Sequence, residues 1–245
     1  MQRKHTLVFA EEISNIINTK KAEKEDMESK ESAACAKCPR NPCASDPEAK
    51  KPAFCPMINR KEAIERAMKR YDQEISFYQA SARQERDGYM RPSEIPIKCR
   101  VEEIMEFAEK MGYRKIGVAF CIGLKDEALR FAKILENVFE VSSVCCKCGA
   151  FDKKLMVDEE DKIQPGAYEA MCNPIAQAEI LNDEHTDFNI VLGLCVGHDS
   201  LFFKYSEAPV TVLAVKDRLL GHNPLAALYS SYYSRLLKSA RISHK

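Results

Sequence analysis

Four cysteines in the first quarter of the chain have the residue type and spacing of a metal-binding segment. Cys35, Cys38 and Cys43 follow one another closely, and Cys55 comes just before the first long helical pattern. A Cys-x2-Cys pair on a tight turn can direct both sulfurs at one ion, and two further thiols can complete a tetrahedral site. We therefore predict a metal-binding module over residues 35–58, with these four cysteines as the metal ligands.

Thiolate ligands suit an iron–sulfur cluster as well as zinc, and spacing alone does not separate the two. Cys38 and Cys55 are each followed directly by proline, a step that also occurs in ferredoxin-type motifs. This feature favours an iron–sulfur cluster as the cofactor, with zinc as the alternative. A metal-free set of thiols, or two disulfides, is the simpler interpretation, but the segment has no apolar core that could order it.

The whole chain has the composition of a globular protein without a charge preference. It has 245 residues, of which 45% are hydrophobic and 30% charged, and its formal net charge is zero. That balance gives no general attraction to nucleic acid or to an anionic membrane, so neither is an expected partner. The apolar run at residues 7–10 is too short for a signal peptide or a membrane span. We expect a cytoplasmic protein, in which the 11 cysteines stay reduced and serve as ligands or redox groups.

Two further segments flank this module. Residues 1–34 include a long charged stretch that cannot bury enough apolar surface to fold by packing, so we predict a flexible extension. Residues 59–94 contain a helix over 59–86, followed by Gly88 and Pro92 and an irregular link. The apolar residues of this helix recur at three- and four-residue steps, which predicts a helix packed on the main domain. A partner-binding helix is the alternative.

From residue 95 to residue 245 the pattern is typical of an α/β domain. Apolar strands are predicted over 116–121, 139–144, 188–194 and 210–215, and helices over 100–111, 125–138, 174–181, 199–204 and 224–239. Strands that are apolar on both faces and alternate with helices indicate a parallel sheet covered on both sides. We therefore predict a three-layer α/β fold with an open, mostly parallel sheet of four to five strands.

Most of the remaining cysteines follow these strands. Ligands bind beyond the carboxyl ends of parallel strands, where helix N-termini also stabilise thiolates. We therefore predict a second cysteine-lined site, for a metal or for redox chemistry. The simpler alternative is that these cysteines are small apolar packing residues. The predicted cysteines of this site are Cys121, Cys148, Cys172 and Cys195. His198 and His222 are neighbouring candidates for cofactor binding.

Sequence motifs do not add a reaction. The chain has no Gly-x-Gly-x-x-Gly fingerprint, no Walker A motif and no serine nucleophile elbow. Whether the protein is an enzyme, and through which catalytic residues, is therefore left open by the sequence.

Several longer motifs resemble those of a known family. These are Phe-Cys-Ile-Gly-Leu at Cys121, Val-Cys-Cys-Lys-Cys-Gly at Cys145, Met-Cys-Asn-Pro-Ile-Ala at Cys172 and Gly-Leu-Cys-Val-Gly-His-Asp at Cys195. Together with the N-terminal cysteines, they resemble the metal-binding proteins of domain of unknown function 1847, over about residues 35–229. The resemblance implies a metal site at the four N-terminal cysteines, with no established reaction.

Two functions are consistent with these features. The first is a cytoplasmic iron–sulfur protein whose second cysteine site passes electrons to a redox partner or a small molecule. The second is a structural zinc module attached to a small-molecule-binding or regulatory α/β domain. The sequence indicates no oligomeric state.

Overall fold

The computed structural model describes residues 31–39, 41–46 and 48–238. The chain divides into two compact units, with the boundary between Tyr78 and Gln79. Most of the extension predicted for residues 1–34 lies outside the described residues. In the first unit, a single 3-10 turn spans Cys35–Lys37, and two short helices follow, α1 (Pro42–Ser45) and α2 (Pro56–Asn59). Both short helices begin with proline, whose fixed φ suits the first helical position.

A long helix, α3 (Lys61–Asp87), contains the boundary between the units. Of its side chains, Ala80 and Gln84 are buried, whereas Ile64, Met68 and Ile75 are 41%, 59% and 50% exposed. Within the second unit, Gln84 donates a hydrogen bond to Glu106. The buried side chains therefore lie near the C-terminal end of the helix, not along the whole apolar stripe as the sequence pattern predicts.

The second unit contains a four-stranded, fully parallel sheet. A two-stranded antiparallel hairpin comes first, with β1 (Tyr89–Met90) and β2 (Ile95–Pro96). The strands of the main sheet are β3 (Lys115–Phe120), β4 (Glu140–Cys145), β5 (Phe188–Leu192) and β6 (Val210–Ala214). Their order in the sheet is β4-β3-β5-β6. In this order β4 lies on one side of β3, and β5 and β6 lie on the other side. The position between β3 and β5 is therefore the topological switch point, where ligands bind in open α/β sheets.

Helices pack on both faces of this sheet. On one face, α4 (Arg100–Met111) and α5 (Lys125–Leu135) contribute Ile104, Phe131 and Leu135 to a core with Ile116 and Ile190. On the other, α6 (Pro174–Asp183) and α7 (His198–Tyr205) contribute Leu181 and Phe202 to a second core. Burial of apolar surface on both sides explains why the strands read as continuous apolar segments.

Element boundaries differ from the predicted ones by a few residues, with two larger differences. The link predicted as irregular contains the β1–β2 hairpin. The last predicted helix is two helices, α8 (Ala226–Tyr229) and α9 (Ser231–Lys238), because Ser230 between them is extended, at φ −79° and ψ 121°. Among the residues that the structure describes, no helix combines the length and apolar character required to span a bilayer.

Candidate functional site

A cavity of about 390 Å³ lies beyond the carboxyl ends of the four parallel strands, within the second unit. Each strand is followed by residues that line it. Cys121 follows β3, Cys146 follows β4, Cys195 follows β5 and Lys216 follows β6. The volume is in the lower part of the range for small-molecule sites. The cavity therefore lies at the switch point of the sheet, with sulfur atoms from three of the strand ends on its wall.

Three cysteines on the cavity wall, Cys121, Cys146 and Cys172, form a cluster. Strands β3 and β4 pair in parallel with Phe120 opposite Cys145, so Cys121 and Cys146 occupy the next register position. The Cys146 amide also donates to the Phe120 carbonyl oxygen, and the Cys146 carbonyl accepts from the amide after Cys172, at 2.8 Å. The side chains of Cys121 and Cys146 belong to one buried cluster, and the Cys172 side chain packs against it. Both neighbours raise the pKa of Cys146. Cys146 is therefore the central member of a three-cysteine cluster.

Positively charged groups lie beside the cluster and its neighbour. The Lys147 ammonium is 3.3 Å from the Cys172 sulfur, and Arg218 donates to the Cys195 sulfur at 3.1 Å. The Lys216 ammonium and the Cys121 sulfur both approach Gly123, so Lys216 lies beside Cys121 and lowers its pKa. Cations at this distance stabilise thiolates over thiols, because they stabilise the charged form directly. The arrangement therefore favours thiolates at the outer two positions of the cluster.

The pKa values of the cluster follow this geometry. The neighbouring Cys146 thiol, the Gly123 amide and Lys216 lower the pKa of Cys121 to about 5. Cys146, Lys147 and the charge of His198 lower the pKa of Cys172 to about 5. The two neighbouring cysteines, together with burial, raise the pKa of Cys146. The directions of these pKa values favour thiolates at Cys121 and Cys172 and a protonated thiol at Cys146.

A long connection from β4 to α6 forms the outer wall of the cavity. Met156, Val157 and Met171 supply apolar side chains to it, and Lys153 forms an ion pair with Glu169 at 3.1 Å. Glu169 also accepts backbone hydrogen bonds from residues 163 and 164. The connection is therefore tied together by its own polar contacts and presents an apolar surface to the cluster.

Gln177 holds the strand ends that carry the cluster. It is fully buried on α6, and its amide nitrogen donates to the carbonyl oxygens of Phe120 at 3.2 Å and Val144 at 2.7 Å. These carbonyls belong to adjacent strands and immediately precede the cysteine-bearing ends. The signal in the sequence is a polar residue, Gln177, beside Ala178 on the buried face of a helix. Gln177 is not among the residues predicted for the site.

The cavity brings together four of the six predicted residues of the second site. Cys121, Cys172, Cys195 and His198 line it, whereas Cys148 and His222 do not. Cys148 donates to the Asn173 carbonyl oxygen at 3.8 Å, and burial is the main cause that raises its pKa. His222 accepts a hydrogen bond from the Asp217 amide through Nδ1. Cys146 lines the cavity where Cys148 is predicted, because the pairing of Phe120 with Cys145 puts Cys146 beside Cys121.

The four N-terminal cysteines belong to the first unit. Cys35 and Cys38 lie on one turn, in which the Cys38 amide donates to the Cys35 carbonyl oxygen at 2.9 Å, while Cys43 lies in α1 and Cys55 precedes α2. All four are exposed or half-buried free thiols. Within the described ranges, no three His, Cys, Asp or Glu residues form a group that could hold a metal ion. The four N-terminal thiols suit a soft metal chemically, but in this structure they do not form a preformed metal site.

Comparisons with known proteins place most of the cavity lining, but not Lys216 and Arg218, inside a recognised family region. A family model described as "Protein of unknown function (DUF1847)" matches residues 55–213. A protein of Methanocaldococcus jannaschii, described as "Uncharacterized protein MJ0455", is 49% identical over 180 residues, which are 73% of this chain and 89% of that protein. No solved structure matches the chain. The family match contains all the cavity cysteines and Cys55, but it begins after Cys35, Cys38 and Cys43, so it is narrower than the resemblance predicts.

Proposed function

The chain belongs to the DUF1847 family, and for this member we propose that the cavity is a thiol–disulfide exchange site. The observation that carries the proposal is the clustering of Cys121, Cys146 and Cys172 on the wall of a cavity. Cys172 is half-buried, whereas Cys121 and Cys146 are 7% and 3% exposed. Cys172 is therefore the thiolate that a substrate reaches first, and Cys146 is the thiol that resolves the product.

The proposed reaction has two steps that balance. In the first, the Cys172 thiolate attacks a substrate disulfide, forms a mixed disulfide and expels one substrate thiolate. In the second, the Cys146 sulfur attacks the Cys172 sulfur and expels the other substrate thiolate, while the Cys146 proton passes to the Cys121 thiolate. The substrate disulfide is reduced, and Cys146 and Cys172 are oxidised to a disulfide. A thiol reductant restores the two cysteines by the reverse exchange.

Each neighbouring group has a defined part in this reaction. Lys147 holds the Cys172 thiolate through its contact at 3.3 Å, and Gln177 fixes the strand end before Cys146 through the Val144 carbonyl oxygen. Cys121 accepts the proton that Cys146 loses, because it is the neighbouring thiolate in the same buried cluster. The sheet thus supplies positioning, and the cations supply electrostatic stabilisation.

The pH dependence of Cys172 alkylation tests the assignment of the attacking thiolate. The thiolate is the nucleophile, so a lowered pKa moves the rise of the alkylation rate to lower pH. We expect the rate with iodoacetamide, followed by peptide mass spectrometry, to be half-maximal near pH 5 and constant above neutrality. The alkylation rate of an ordinary cysteine is half-maximal only near pH 8.5 and still rises above it. A profile for Cys172 with its midpoint near that of an ordinary cysteine would contradict the assignment, and Cys172→Ser identifies the signal.

As a second function, we propose a metal centre at Cys35, Cys38, Cys43 and Cys55, an iron–sulfur cluster or alternatively zinc. Support comes from the four free thiols, two of which already share one turn. Thiolates at these positions would supply a soft, four-sulfur donor set, and metal binding would supply folding energy to a segment with little core of its own. The cluster would serve electron transfer, whereas zinc would be structural.

Removing one of these thiols has a clear expected result. In protein purified without oxygen, Cys38→Ser should lose most of the bound iron and sulfide, or of the zinc. The mutant should also become sensitive to proteases over residues 35–58, because the metal orders them. Elemental analysis and limited proteolysis measure both effects. Cys99→Ser is the control, because Cys99 is exposed and belongs neither to the four N-terminal cysteines nor to the cavity. Full metal content in Cys38→Ser would refute the metal centre.

A further inference from the structure

The charges on the cavity wall are strongly unbalanced. Among the described residues, the lining includes the cations Lys147, Lys153, Lys216 and Arg218, and also His198, but Glu169 is the one carboxylate. Lys153 neutralises that carboxylate through their ion pair at 3.1 Å. Three permanent cations therefore remain near the sulfur atoms, and the low-dielectric walls of a cleft concentrate their field.

The charge balance also changes during the proposed exchange. A thiolate that becomes part of a disulfide loses its negative charge, and a thiolate that takes a proton loses it as well. Lys216, which faces Cys121, and Lys147, which faces Cys172, then have no anionic partner in the cluster. A half-buried ammonium without a partner is unfavourable, so an anionic group on the bound substrate would stabilise each intermediate.

The apolar side chains of the cavity wall set a second requirement on the ligand. Met156, Val157 and Met171 present apolar surface, and the methionine side chains adapt to ligands of different shape. A ligand that fills the cavity must therefore carry an apolar body on one side and a negative charge on the other.

We propose that the cavity selects small organic disulfides that carry a carboxylate or another anionic group next to an apolar body. This inference rests on the proposed exchange reaction and names its substrate class. Lys216 is the selective cation, because it acts on Cys121, whereas Lys147 and His198 are the positively charged groups that act on the attacking sulfur of Cys172. Lys147, by contrast, also donates to the Ala170 carbonyl oxygen and so supports the wall itself.

Two aromatic disulfide reagents of similar shape test this selection. Dithiobis(nitrobenzoate) carries carboxylates, and dithiodipyridine is neutral. The measured quantity is the ratio of their rate constants at Cys172, assigned by peptide mass spectrometry and compared with the same ratio for a neutral cysteine derivative in solution. We expect the ratio of the anionic to the neutral rate constant to be about tenfold higher at Cys172 than in solution, because two or more cations lie nearby.

The variant Lys216→Met keeps the length of the side chain and removes its charge. We expect it to lower the ratio of the anionic to the neutral rate constant at Cys172 about fivefold, because both reagents meet the same altered thiol cluster and differ in their charge. Lys133→Met, on the exposed face of α5, is the matched control and should change neither rate. In the unmodified protein, about 1 M salt should bring the ratio close to the solution value.

The outcomes separate this inference from the reaction beneath it. If the anionic and neutral rates at Cys172 show the solution ratio at low salt, and Lys216→Met leaves that ratio unchanged, the substrate class is wrong while the exchange reaction stands. If dithiodipyridine leaves no disulfide between Cys146 and Cys172, the exchange reaction itself is wrong. The salt measurement uses the unmodified protein, so it decides the question even if the variant does not fold.

Discussion

Cys146→Ala should trap Cys172 as a stable mixed disulfide. The attacking thiolate remains, but the resolving sulfur that contacts it is absent, so the second step has no nucleophile. We expect release of the second substrate thiol from the cavity to slow on the order of 100-fold or more, because a neighbouring thiol acts at a high effective concentration. Mass spectrometry of the intact, anaerobically handled protein detects the adduct, and absorbance measures the released thiol.

Cys148→Ala is the matched control for this experiment. Cys148 is only two residues away in sequence, but its side chain contacts the Asn173 carbonyl oxygen and does not line the cavity. It should therefore release both substrate thiols as the unmodified protein does. Equal behaviour of the two alanine variants would show that Cys146 does not resolve the mixed disulfide.

Gly117→Ala should destabilise the α/β unit by about 3 kcal/mol. Gly117 is in the middle of β3, and a methyl group there would collide with the Asn189 side-chain oxygen and come within 2.9 Å of Leu181. Asn189 is fully buried, accepts from Thr186 at 2.8 Å and donates to Ser206 at 2.9 Å. The substitution adds overpacking, worth about 1–3 kcal/mol, to the cost of disturbing a buried polar network.

Urea denaturation measures this loss as a lower midpoint. Ser143→Ala, on the exposed side of the adjacent strand β4, is the control and should change the free energy of unfolding by less than about 0.5 kcal/mol. A loss of less than about 1 kcal/mol for Gly117→Ala would show that the packing around Asn189 adapts to a methyl group.

The sequence predicts the sheet well because burial on both faces leaves a direct mark on it. Phe188, Ile190 and Leu192 are all buried in β5, and such a continuous apolar run is typical of a central parallel strand. Helix α4 is predicted with both of its boundaries, since Gly112 adopts the left-handed conformation that ends it. These features depend on local sequence, so periodicity and glycine placement predict them.

The identity of the central cysteine depends on strand register, which local sequence does not determine. The pairing of Phe120 with Cys145 puts Cys146 beside Cys121, and a shift of two residues in that pairing would be needed to put Cys148 there. The same holds for Lys216 and Gln177, which reach the cluster from elements distant in sequence. The sequence therefore predicts the edge of the sheet that carries the site, but not the pairs of side chains that form it.

The most direct measurement of the central claim is the disulfide map of the unmodified protein. Fully reduced protein would be treated anaerobically with one equivalent of dithiodipyridine, quenched in acid and digested for peptide mass spectrometry. The proposed reaction predicts a disulfide between Cys146 and Cys172, with Cys148 and Cys99 still reduced. A map in which Cys146 and Cys172 remain thiols, while exposed cysteines carry the modification, would contradict it.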